Sequence, residues 1–83
     1  MTNAQPFRKV SVIGGGAWGT ALAHLAARNG AETLLWAREP EVVESVTRQG
    51  ENTSFLPGVK LDPRLGATVD LQAAARSDAL VFA

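Results

Sequence analysis

The stretch Lys9-Val-Ser-Val-Ile-Gly-Gly-Gly-Ala-Trp-Gly19 constrains this chain more than any other. A short β-branched run leads straight into glycines at 14, 16 and 19, a GxGxxG spacing directly after a predicted strand. In a strand-turn-helix setting each glycine has its own physical task. Gly14 permits the tight turn out of the strand, Gly16 lets backbone approach a pyrophosphate, and Gly19 lets the next helix pack closely on the strand. The first N–H groups of that helix lack intrahelical partners, and the aligned peptide dipoles add partial positive charge there. Phosphate can then be held without a cationic side chain. Three glycines at this spacing also arise in ordinary glycine-rich loops, and the chain has eight, so the flanking residues must supply a βαβ unit.

They do. Strand one starts near Arg8, and Val10, Ser11, Val12 and Ile13 do not alternate with polar residues, as expected of a parallel strand covered on both faces. A helix is predicted over 17–29, with Trp18, Ala21, Leu22, Leu25 and Ala26 as its inward stripe and Thr20, His24 and Arg28 on the opposite, solvent side. Asn29-Gly30 stops it. Residues 32–37 form a second apolar strand, and the helix between the two strands makes them parallel with a right-handed crossover. Pro40 occupies the first turn of a second helix over 41–49, which points Val42, Val43 and Val46 inward and ends at Gly50. Residues 51–66, rich in Pro, Gly, Asn and Asp, are too long for a minimal loop and are read as a functional connection. Strand three is expected at 67–69, a third helix capped by Asp70 at 71–76, and strand four at 79–83. Residues 1–7 are polar and expected to fray, with Pro6 and Phe7 leading into the sheet. The fold class is α/β: a Rossmann-type doubly wound parallel sheet, of which the first β-α-β-α-β-α-β portion is present.

Size limits what that portion does alone. A chain of 83 residues buries only roughly 60% of its unfolded surface, and a whole dinucleotide-binding fold needs two βαβαβ halves. Residues 1–83 are therefore expected to be the N-terminal part of a dinucleotide-binding domain, with a substrate domain further on, and strand four an edge whose Leu80-Val81-Phe82 invites aggregation. Eight basic residues balance eight acidic ones, which leaves no electrostatic attraction for nucleic acid or an anionic membrane. No apolar run approaches the ~20 residues of a membrane-spanning helix, and the N-terminus lacks the basic start and apolar centre of a signal peptide. A cytoplasmic location is expected. The absence of cysteine excludes disulfides and thiolate metal sites within these residues.

Several side chains have both a bland and a functional reading. Trp18 is either core or a cover over bound cofactor, its backbone N–H aimed at pyrophosphate. Arg38 follows strand two, where an NAD-specific site would carry an acidic residue on the ribose 2′-OH; its guanidinium offers a donor fork for a 2′-phosphate and a plane to stack on adenine. Glu39 either takes the ribose role, which would admit NADH, or is a helix-start carboxylate favoured by the dipole. NADPH is expected to be preferred and NADH tolerated. His24, on the expected polar face, reads as a surface residue. Asp62, Asp70 and Asp78 read as caps and turns rather than metal ligands. Asn52-Thr53-Ser54 matches a glycosylation acceptor only formally.

Four separated segments carry a resemblance. Ile13-Gly-Gly-Gly-Ala-Trp-Gly-Thr-Ala-Leu-Ala23, Leu35-Trp-Ala-Arg38, Asn52-Thr-Ser-Phe-Leu-Pro-Gly58, and Thr68-Val-Asp70 with the strand over 77–83 agree in order and spacing with one family. Over residues 8–83 the chain resembles the N-terminal part of the bacterial NAD(P)-dependent glycerol-3-phosphate dehydrogenases. The resemblance implies reduction of dihydroxyacetone phosphate to sn-glycerol 3-phosphate for glycerophospholipid synthesis. It further implies catalytic lysines and a substrate phosphate site in a later helical domain, so that no catalytic residue lies within this chain. It carries Phe55 over as a contact on the adenosine side of the cofactor, against the plainer reading of a buried loop anchor. Ala17 departs from the serine frequent in the family, which removes a hydroxyl contact to phosphate and leaves the backbone N–H. A homodimer is admitted. Another NAD(P)-dependent reductase with the same N-terminal design, or a non-catalytic NAD(H)-sensing module, stays open on the residues alone.

Overall fold

The computed structural model describes residues 8–83, so the expectation for residues 1–7 lies outside the described residues. The elements in chain order are β1 (Lys9–Ile13), α1 (Ala17–Arg28), β2 (Glu32–Trp36), α2 (Pro40–Gln49), β3 (Leu65–Thr68), α3 (Leu71–Ala74) and β4 (Ala79–Phe82). The sheet is parallel throughout, in the order β3-β2-β1-β4. The order reverses at β1: the chain winds outward through β2 and β3, then crosses back to lay β4 on the other side of β1. In open α/β sheets ligands bind beyond the carboxyl ends of the strands at such a switch point.

Register follows from burial. Val12 pairs with Leu35, and Leu35 with Ala67, so one row of side chains crosses the sheet toward α1 and α2. There it meets Ala23 and Ala27 of α1 and Val42 and Val46 of α2, each buried valine or leucine side chain contributing roughly 1.5–3 kcal/mol. Ser11, one residue along β1, points to the other face, where its hydroxyl bonds that of Ser77 after α3. The Asp78 carboxylate accepts the backbone N–H groups of Arg8 and Lys9, tying the starts of β4 and β1 together. Asp70 caps α3 by accepting from the Gln72 N–H, and Gly50 ends α2 in the left-handed conformation.

The structure departs from the expected faces of α1, with Ala21, Leu22 and Ala26 of the expected inward stripe only half-buried. The buried residues are Gly19, Thr20, Ala23 and Ala27, whereas Trp18 is 70% and Leu25 52% exposed. A helix held this close to a sheet by a glycine admits only small side chains beneath it, and the larger ones are displaced outward. Of the polar row Arg28 is exposed as expected, whereas Thr20 and His24 form the seam on which the long connection lies. Thr20 accepts from the Asn52 amide, His24 Nδ1 accepts from the Asp62 N–H at 3.1 Å, and Arg64 donates to the Ala27 carbonyl at 2.9 Å. His24 is thus half-buried and structural rather than a free surface residue. Replacing it with Ala is expected to lower stability by about 1 kcal/mol, because the Asp62 N–H loses its acceptor; chemical denaturation of the protein measures this.

β3 begins two residues earlier than the sequence suggests, at Leu65 rather than 67. Gly66 reads as a turn residue, yet it pairs in the ladder opposite Leu34. The connection before it is compact. The Leu61 N–H donates to the Gly50 carbonyl at 2.7 Å, closing the loop at its base, and Leu61 is buried in the core. Among the described residues no helix is long and apolar enough to cross a membrane.

Candidate nucleotide-binding site

The glycine turn leaves the carboxyl end of β1 at the switch point, and its glycines are required for different reasons. Gly14 has φ +132°, in the region that favours glycine, and a Cβ there would lie 2.9 Å from the Ala83 carbonyl oxygen. A Cβ on Gly19 would overlap the Gly14 carbonyl oxygen. Both serve the fold. Gly16 differs: its backbone is extended, at φ −73° and ψ −173°, and a Cβ there would meet nothing within 4 Å. Among the described residues nothing demands glycine at 16. What its missing side chain leaves is clear space in front of the α1 N-terminus.

That N-terminus is open. Gly16 is the N-cap and supplies no side-chain acceptor, and the first turn, beginning with the exposed Ala17, carries no acidic residue. The helix start is therefore free to receive an anion. Trp18 stands exposed in the same turn, which excludes the core reading.

Gly15, passed over in the sequence, is the junction of the site. It is buried, and a Cβ on it would lie 2.6 Å from the Ala37 Cβ and 3.4 Å from Val42 Cγ1. The end of β2 is thereby drawn against the turn, and Arg38 follows directly. Arg38 is exposed and, among the described residues, makes no ion pair or side-chain hydrogen bond. Glu39 is the N-cap of α2 and makes no side-chain capping bond, a helix-start position next to Arg38.

Phe55 is 43% exposed, so it is not a buried anchor; Leu56 is the half-buried neighbour. The segment that presents Phe55 is held at several points. The Ser45 hydroxyl donates to the Glu51 carbonyl and accepts the Thr53 N–H, and the Glu51 carboxylate accepts the Gly58 N–H at 2.8 Å. Asn52, with no exposed surface, donates to the Gly15 carbonyl and to Thr20, and its Oδ1 accepts the Phe55 N–H. Read in sequence as a formal glycosylation acceptor, Asn52 is inaccessible and structural. Its signals in the sequence were its place at the head of the Asn52-to-Gly58 segment and at the start of a long connection. Among the described residues no three His, Cys, Asp or Glu side chains are grouped to hold a metal ion.

Comparison with known proteins gives a consistent set. The family model described as NAD-dependent glycerol-3-phosphate dehydrogenase N-terminus matches residues 9–83. The chain is 58% identical over 75 residues to a glycerol-3-phosphate dehydrogenase (NAD(P)+) of Paramagnetospirillum magneticum, covering 90% of this chain and 27% of that protein. It is 51% identical over 77 residues to one of Thermobifida fusca, covering 90% and 23%. Among solved structures, a glycerol-3-phosphate dehydrogenase of Saccharomyces cerevisiae superposes with a TM-score of 0.85 at 32% identity, over 95% of this chain and 26% of that one. One from Coxiella burnetii gives 0.82 at 32% identity, over 90% and 23%. The chain thus spans about a quarter of the length of these relatives.

Proposed function

The chain belongs to the NAD-dependent glycerol-3-phosphate dehydrogenase family, matching the family's N-terminus, and on that premise we propose that it is the cofactor-binding portion of an NAD(P)H-dependent reductase. Its substrate is dihydroxyacetone phosphate and its product sn-glycerol 3-phosphate, made in the cytoplasm for glycerophospholipid synthesis. NADPH is preferred and NADH accepted. The observation that carries the reading is Gly16, whose missing side chain the fold does not need and a pyrophosphate does.

The residues present fit a dinucleotide. NADPH, when bound, supplies hydride to the substrate carbonyl. The backbone of Gly14, Gly16, Ala17, Trp18 and Gly19 lines the pyrophosphate position, with open N–H groups at the start of α1 and no carboxylate to repel the anion. Arg38, uncommitted among the described residues, takes the 2′-phosphate; Glu39 beside it takes the ribose hydroxyl when NADH is bound. Phe55 lies against the adenosine and Trp18 shields the pyrophosphate from water. No residue of 8–83 is proposed to deliver the proton that completes the alcohol.

The test is dihydroxyacetone-phosphate-dependent oxidation of each reduced cofactor by the open reading frame expressed to its own stop codon. Faster turnover with NADPH than with NADH is expected, and no turnover with either overturns the proposal. Arg38→Ala is expected to raise KM for NADPH by about 10- to 100-fold, the worth of charge-assisted hydrogen bonds, and that for NADH by less than about 3-fold. Equal losses would remove Arg38 from the 2′-phosphate site.

A further inference from the structure

We infer that Asn52 and Thr20 are positioning residues for cofactor binding, forming a buried clasp that turns the N–H groups of the glycine turn toward the ligand. The inference rests on the dinucleotide reading above and assigns the part of the protein that orients the site.

The clasp consists of three donated hydrogen bonds, two of which join segments more than thirty residues apart. The Asn52 amide donates to the Gly15 carbonyl at 2.9 Å and to Thr20 Oγ1 at 2.7 Å. Thr20 Oγ1 in turn donates to the Gly16 carbonyl at 2.7 Å. Both residues have no exposed surface. Asn52 Oδ1 accepts the Phe55 N–H, so both amide hydrogens and the amide oxygen are used, which fixes the orientation of the group.

Peptide geometry converts these contacts into a direction. A trans peptide carries its C=O and the following N–H on opposite sides, and no cis peptide occurs among the described residues. With the Gly15 carbonyl held inward by Asn52, the Gly16 N–H points away from the interior. With the Gly16 carbonyl held by Thr20, the Ala17 N–H does the same. Those are the donors in front of the space left clear at Gly16. Glycine is the residue least able to hold a peptide plane by its own conformational preference; the Gly16 carbonyl also accepts the Thr20 N–H at 3.0 Å within α1, so there the hydroxyl reinforces a backbone bond, whereas the Gly15 carbonyl is held by the Asn52 amide and the Thr20 hydroxyl. The clasp also makes one unit of two parts of the site, since the amide that orients the turn fixes the backbone of Phe55.

The test compares Thr20→Val, Thr20→Ser and Asn52→Ala in the open reading frame expressed to its stop codon, by steady-state kinetics with NADPH and dihydroxyacetone phosphate. Valine keeps the shape of threonine and removes the hydroxyl; serine keeps the hydroxyl. Thr20→Val is expected to raise KM for NADPH about 5-fold and Asn52→Ala at least about 10-fold, in line with the loss of two of the clasp's hydrogen bonds in the first and of all three bonds of the Asn52 amide in the second. In both, kcat at saturating NADPH and KM for dihydroxyacetone phosphate stay within about 2-fold, and Thr20→Ser returns KM for NADPH to within about 2-fold of the unsubstituted protein. A purely structural role would lower the active fraction and hence kcat, leaving KM alone; that result overturns the inference. So does a Thr20→Ser variant as impaired as Thr20→Val, which would make the methyl group the feature that matters. If Asn52→Ala does not fold, the Thr20 pair decides. An unsubstituted protein that does not use NADPH overturns the cofactor reading itself, whereas normal use of NADPH with an unmoved KM in Thr20→Val overturns the clasp alone.

Discussion

Gly19→Ala is expected to destabilise the protein by about 3 kcal/mol or more, a large effect for one methyl group. Two opposing terms decide the sign. Alanine favours the helix by roughly 1 kcal/mol over glycine. Against this, the new Cβ would overlap the Gly14 carbonyl oxygen, lie 3.0 Å from the Gly14 carbonyl carbon and stand 3.4 Å from the Ala83 Cβ. The worst clash is with backbone in a turn whose own φ is restricted to glycine, so no flexible side-chain end can give way. Overpacking of this kind costs about 1–3 kcal/mol even where side chains adjust, and the steric term therefore wins. The whole of α1 would have to lift from the sheet. Denaturant unfolding of the variant reads the loss directly, and an unchanged or raised midpoint would mean that α1 has room to move off the turn at little cost.

Gly16→Val is expected to do the reverse: to abolish tight cofactor binding and leave the fold almost untouched. The extended backbone at Gly16 suits any residue, and a Cβ finds open space. The change of N-cap residue costs up to about 1 kcal/mol. The branched side chain would, however, occupy the position proposed for the pyrophosphate. An increase in NADPH Kd of at least about 100-fold is expected, equivalent to roughly 2.7 kcal/mol, with the unfolding midpoint nearly constant. Trp18, exposed in the same turn, provides an intrinsic fluorescence probe for the titration. Unchanged NADPH affinity in this variant would mean that the clear space at Gly16 is not where the cofactor lies. Set beside Gly19→Ala, it separates a glycine whose missing side chain serves packing from one whose missing side chain serves the ligand.

The order of elements was legible because each left a local mark. The apolar runs of β1 and β2, the proline at the start of α2, the glycine at its end and the aspartate ahead of α3 each act within a few residues, and the structure agrees with them. The faces of α1 were not legible. Hydrophobic periodicity assumes that large apolar side chains seek the interior, and that assumption fails where helix and sheet are held so near that only Gly19, Thr20, Ala23 and Ala27 fit between them. The polar row of Thr20 and His24 misled for the same reason, because its partners Asn52 and Asp62 arrive from a loop more than thirty residues away. Within the site, the three spaced glycines were readable from their spacing, whereas Gly15 and Asn52 were not. Their roles lie in contacts with Ala37, Val42 and Thr20 that no local pattern encodes.

The parallel pairing of β1 with β4 has a consequence during synthesis on the ribosome. Ile13 lies opposite Phe82, the Ala83 N–H donates to the Ile13 carbonyl, and Ala83 is the residue against which Gly14 and Gly19 are packed. The turn is thus translated early and walled late. At about 5–20 residues per second, the glycines wait on the order of 3 to 14 s for the strand that encloses them. During that interval the nascent chain has β1, α1 and β2 available to dock on one another, but one side of β1 is an open edge. Slowing translation after residue 36 would lengthen the exposure of this edge in proportion.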